Sequence, residues 1–95
     1  MNDSIHQPCG LCQRLTKRGN EHHLIPRTCH SNKWFRKNFA RDQMLATVWL
    51  CLDCHKAIHL FVPSEKELGR DYNTIEKLLT HPEIARFVQW IRKQK

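Results

Sequence analysis

Ninety-five residues carrying 16 Lys and Arg against 9 Asp and Glu have a formal net charge of +7. A chain this short supports one domain with a limited core, so it calls for a staple such as a metal ion. No apolar run is long enough to cross a bilayer and Met1–Gln7 is polar, unlike a secretion leader, so the chain is expected in a reducing, cytoplasmic setting where its CxxC pairs serve as metal ligands rather than disulfides.

The charge is uneven. Up to Arg41 there are 8 basic residues and 2 acidic ones, whereas Asp42 onward holds 8 basic and 7 acidic. The basic half is a candidate phosphate-facing surface.

In chain order, Met1 to Gln7 reads as a loose tail. Pro8-Cys9-Gly10 opens a first knuckle, Cys9-Gly10-Leu11-Cys12, whose glycine permits a tight turn aiming backbone N–H groups at sulfur. Lys17–Asn20 reads as a turn, and His22–Ile25 as a short strand closed by Pro26. Asn32–Arg41 is a helical candidate with an apolar stripe of Trp34, Phe35 and Phe39. Thr47–Leu50 is β-rich and pairs with the earlier strand. Asp53–Phe61 follows as a helix with Asp53 as its N-cap, ended by Pro63. Ser64 with Glu67 marks a capping box, and Asn73–Leu79 is a further helix. Thr80 with Glu83, and Pro82 in the first turn, start a last helix that buries Ile84, Phe87, Val88 and Ile91, with Trp90 at its edge. The fold class is therefore α+β, one domain over residues 1–95.

Two cysteine pairs far apart in sequence, Cys9 with Cys12 and Cys51 with Cys54, suit one tetrahedral structural zinc that cross-links the fold. Cys29 is left over and reads as a buried, idle thiol.

His55 directly follows the second knuckle, and His59 lies four residues on. On a helix that spacing places both imidazoles on one face. His22 or His23 supplies a third ligand, which leaves the other as a base able to take a proton from an attacking water. Adjacent strand residues point to opposite faces, so both serve one site only where the strand bends or ends, as nearby Pro26 suggests. Periodicity does not say which is ligand and which is base. His6, His30 and His81 read as ordinary polar residues.

Glu21-His22-His23-Leu24-Ile25-Pro26 and Cys51-Leu52-Asp53-Cys54-His55-Lys56-Ala57-Ile58-His59 together resemble the HNH endonuclease family. The resemblance covers roughly Cys9 to Leu60. It implies a zinc-stapled ββα-metal core at about residues 9–62, with a helical extension at about 63–95. It implies that His22, His55 and His59 hold a catalytic divalent ion (Zn2+, Ni2+, Co2+, Mn2+ or Mg2+) and that His23 is the general base. It also implies DNA cleavage that leaves a 5′-phosphate and a 3′-hydroxyl. One departure stands out: the family's middle asparagine is replaced by Ala46, followed by Thr47. The Thr47 hydroxyl or the Gln43 side chain is the expected substitute.

Lys33-Trp34-Phe35-Arg36-Lys37 mixes cations with aromatics, which suits backbone phosphates and base stacking. Its other reading is an amphipathic helix with Trp34 and Phe39 in the core. Lys33, Arg36, Lys37 and Arg41, with Arg27 beside the base-bearing strand, are the expected contacts to DNA, most simply double-stranded. No segment reads as a base-reading helix, so loose sequence preference is expected. The alternative is a zinc-stabilised nucleic-acid-binding module without catalysis, which has no use for a base beside a three-histidine site. A third class is a small protein-interaction domain, which has no use for the basic first half.

Overall fold

The computed structural model describes residues 7–94. The expected tail falls on residues 1–6, outside the described residues, as do His6 and Lys95. Gln7, grouped with that tail by sequence, instead belongs to a strand.

Strand β1 (Gln7–Pro8) pairs antiparallel with β2 (Leu15–Thr16), and the first knuckle makes the turn between them. Gln13 closes the turn with φ of 67°, a left-handed conformation unusual for a residue with a side chain. Gly10 serves a purpose different from the expected one. Its φ is not positive, but a Cβ there would collide with Val48 Cγ2, and its N–H donates to Trp49 O at 2.8 Å. The missing side chain lets the knuckle lie flat on the next sheet.

That sheet is β3 (Gly19–His23) paired antiparallel with β4 (Thr47–Cys51), in a register that sets His22 opposite Val48 and His23 opposite Thr47. The first of these strands begins earlier than expected and stops at His23, where Leu24 and Ile25 bend away. Gly19 and Asn20, read as turn residues, are inside it. A Cβ at Gly19 would meet the Trp49 ring at 2.6 Å, so glycine permits this close pairing.

A 3-10 turn (Arg27–Cys29) leads to α1 (Lys33–Asn38), capped by Asn32, whose Oδ1 accepts from Trp34 N at 2.9 Å and Phe35 N at 3.3 Å. The expected single helix to Arg41 is broken at Phe39 and Ala40, both extended. A separate α2 (Arg41–Leu45) follows, with Gln43 Oε1 accepting from Ala40 N at 2.8 Å. The break reflects which aromatic is buried: Phe35 enters a small core with Ile25, Cys29 and Met44, Phe39 stacks on Phe35, and Trp34 remains 46% exposed.

Helix α3 (Leu52–Phe61) starts directly off β4 with Cys51 as N-cap. Asp53 is therefore inside the first turn and not the cap, where its carboxylate suits the helix dipole and lies 3.7 Å from Arg14. Helix α4 (Glu65–Asp71) has the expected Ser64 cap, accepting from Glu67 N at 3.3 Å. Helix α5 is shorter than expected (Ile75–Leu78) because Thr74 caps it. Helix α6 (Pro82–Ile91) is capped by His81, whose Nδ1 accepts from Glu83 N at 3.2 Å, while Thr80 turns its hydroxyl back to Lys77 O at 2.6 Å.

The main core joins these parts. Leu50, Ile58, Leu68, Leu78 and Ile84 are fully buried together, each contributing roughly 1.5–3 kcal/mol relative to exposure. Val88 and Ile91 of α6 reach the same cluster, Phe87 is only partly buried, and Arg92 Nε donates to Cys12 O at 3.1 Å. Among the described residues, no helix is long and apolar enough to cross a membrane.

Candidate metal centres

The β1–β2 turn delivers Cys9 and Cys12. The end of β4 and the first turn of α3 deliver Cys51 and Cys54. The four sulfurs lie within 4.8 Å of one another and all four residues are buried free thiols. Cys12 Sγ and Cys51 Sγ are 3.9 Å apart. A zinc tetrahedron with bonds of about 2.3 Å has sulfur–sulfur edges of about 3.8 Å, so the spacing matches. Leu11 N and Cys12 N approach Cys9 Sγ at 3.4 and 3.5 Å, as expected of a knuckle.

The protonation of this group is strained by proximity. A hydrogen bond from Cys54, helped by backbone amides and opposed by burial, lowers Cys9 to about 4. Donating that same bond, with burial behind it, pushes Cys54 far up, and burial raises Cys51. One thiolate is thus stabilised at the expense of its neighbours, a conflict that a divalent cation resolves for all four. Arg14 adds a positive charge at the rim, with Nη2 3.9 Å from Cys51 Sγ. The group is compatible with a structural zinc. Cys29 stands apart, buried, with Sγ donating to Glu65 O at 3.6 Å and its thiol pushed up by burial.

A second group forms where β3 packs on α3. His22, His55 and His59 each place a ring nitrogen within 4.8 Å of the others. Their ring centroids are 4.9 to 5.6 Å apart. His22 is 2% exposed, and its Nε2 is buried with no hydrogen-bond partner among the described residues. Such an orphaned atom costs roughly 1–3 kcal/mol unless something satisfies it. A cation shared with His55 and His59 does so. Burial first, then the neighbouring histidines, holds His22 down to about 4, and burial with His59 lowers His55. Both rings are therefore biased to the neutral form, with a lone pair for an ion. His55 is half-buried and His59 exposed, so the group opens toward solvent on one side, as a site that keeps a free position requires.

His23 is outside this trio. It occupies the last pair of the β3–β4 ladder, opposite Thr47, half-buried, with its ring edge-on to His30 at 5.8 Å. The expected substitutes for the missing asparagine make their bonds elsewhere. Thr47 Oγ1 donates to Glu21 Oε1 at 2.6 Å, and Gln43 caps α2. The bend behind His23 is held by two other contacts: Leu24 N donates to Ala46 O at 3.2 Å, and His30 Nε2 bonds Ile25 O at 3.0 Å. His30 was read from sequence as an ordinary polar residue. A turn contact five residues back leaves no periodic signal by which to find it. Arg14 was likewise assigned no part in the sulfur site.

The five cations expected to contact DNA are all exposed, Arg27 on the 3-10 turn, Lys33, Arg36 and Lys37 on α1, and Arg41 at the start of α2. Arg36 and Arg41 share a cleft of about 340 Å3 with His30, Phe39, Met44 and Leu45. Of the two aromatics expected either to stack on bases or to enter the core, Trp34 stays outside and Phe39 is half-buried.

No family model matches the sequence, and no solved structure matches it. Among curated proteins it is similar to "Uncharacterized protein YisB" of Bacillus subtilis (strain 168), 38% identical over 86 residues that span 90% of this chain and 74% of the relative.

Proposed function

The chain belongs to the family of YisB from Bacillus subtilis, and we propose that it is a metal-dependent endonuclease of the HNH class that hydrolyses phosphodiester bonds in DNA. The observation that carries this reading is the unpartnered, buried Nε2 of His22 beside His55 and His59, with a fourth imidazole, His23, one residue further along the strand. A structural zinc alone accounts for the cysteines and leaves this second cluster without a purpose.

On this reading residues of about 9–62 are the nuclease core, and the helices of about 63–95 brace it. His22, His55 and His59 are the ligands of the catalytic ion. When bound there, such an ion would supply Lewis-acid polarisation of the phosphoryl oxygen and charge stabilisation at the leaving oxygen. His23 takes the proton of the water as it attacks phosphorus, and the HNH resemblance implies that the bond from phosphorus to the 3′-oxygen is the one that breaks, leaving a 5′-phosphate and a 3′-hydroxyl. Arg27, Lys33, Arg36, Lys37 and Arg41 hold the phosphate backbone, with binding that weakens as salt rises. Cys9, Cys12, Cys51 and Cys54, pinned by zinc, fix the β4–α3 junction from which His55 and His59 project.

The test is nicking of supercoiled plasmid across a panel of divalent ions, with metal content measured on the same protein. Wild type is expected to hold metal at both clusters and to nick, and EDTA is expected to stop it reversibly. His55→Ala is expected to keep the sulfur-bound zinc, lose the second ion and lose cutting. A wild-type protein that, fully remetallated, binds DNA but never nicks it would instead be a binding module without catalysis.

A further inference from the structure

His23 has an exposed flank at the end of its strand, and a half-exposed ring there samples several rotamers unless something confines it. His30 is placed to do so. Its backbone is anchored by the turn, with N–H donating to Arg27 O at 3.0 Å, and by the preceding Cys29, which is buried in the small core. From there its imidazole acts in two directions. Nε2 bonds the carbonyl of Ile25, two residues past His23, at 3.0 Å. The ring face lies edge-on to His23, centroids 5.8 Å apart at 65°. A carbonyl only accepts, so Nε2 carries the hydrogen of this bond.

We propose that His30 is a positioning residue for the reaction, clamping the bend behind His23 and walling its ring so that the base holds one orientation. This role rests on the hydrolytic reading above. Neither Thr47 nor Gln43 competes for it, since both are engaged elsewhere. His30 also borders the cleft of Arg36 and Arg41, so the same residue touches both the base and that part of the basic surface.

The test compares His30→Ala, His30→Gln and His30→Phe as full-length, metal-loaded proteins. Gln retains an N–H able to reach Ile25 O, whereas Phe retains only the ring. Misplacing a reacting group by about 1 Å costs up to about 100-fold, so His30→Ala and His30→Phe are expected to lose about 10- to 100-fold in kcat with KM little changed, and Gln is expected to recover most of it. Zinc content and thermal midpoint should follow wild type for Gln and Phe even if Ala proves unstable. Nitrogen-15 ring shifts in the wild-type protein should show His30 protonated on Nε2. Phe cutting as fast as Gln, or an Nδ1-protonated His30, overturns the role alone. A wild-type protein that never cuts overturns the hydrolytic reading and this role with it.

Discussion

Replacing His23 with alanine is expected to slow plasmid nicking by about 10²–10⁴-fold, the span of a general base, while zinc content and DNA affinity stay at wild-type levels. The separation follows from position. His23 is in neither the three imidazoles whose nitrogens converge nor the sulfur cluster, and it pairs with Thr47 at the opposite end of β4 from Cys51. It also ends its strand, so truncation leaves the pairing of His22 with Val48 in place. The phosphate-facing cations are on α1, α2 and the 3-10 turn, whose capping hydrogen bonds do not involve the His23 side chain. Nicking time courses, gel-shift titrations and metal analysis on one preparation check the three parts together. A variant that cuts as fast as wild type removes His23 from the chemistry and returns the search for a base to its neighbours.

The second large effect concerns the fold. Cys54→Ser is expected to abolish the cooperative thermal transition and drop the zinc content, where His55→Ala leaves both the fold and the sulfur-bound zinc. Zinc bound by structural cysteines contributes on the order of 10–16 kcal/mol in small domains, comparable to the whole margin of about 5–15 kcal/mol of a typical one. The sulfurs tie the β1–β2 turn to the β4–α3 junction, and α6 leans on the same turn through Arg92 and the Cys12 carbonyl. Losing that knot loosens three parts of the chain at once. Cys29→Ser is the control: its thiol is buried but outside the cluster, so zinc content should be unchanged. Calorimetry with metal analysis reads the difference. A Cys54→Ser protein that melts like wild type would mean the core holds without the metal.

The four-cysteine group and the pair His55 and His59 were legible because each rests on a local rule, whereas His22 was set apart from His23 only by the family resemblance. A CxxC pair closes within one turn, and two histidines four apart share a helix face whatever surrounds them. The pairing of the β-rich segment with the histidine-bearing strand was legible from composition. What escaped depends on packing between distant segments. Gly10 and Gly19 are glycines because β4 comes too close for a Cβ, which no turn rule reveals. The helix after Asn32 breaks because Phe35 rather than Trp34 finds the small core. His81 takes the cap assigned to Thr80 because its Nδ1 lies within reach of two amides. His30 escaped for the same reason, since its significance lies in what the bend at Ile25 brings beside it.

Cys54 and His55 are consecutive on α3, one belonging to each candidate metal cluster. Maturation is therefore expected to be ordered: limiting cobalt added to apoprotein should develop its thiolate absorption before its imidazole bands. On the hydrolytic reading, competence arrives last, and a cell short of zinc accumulates silent chains instead of untethered scissors.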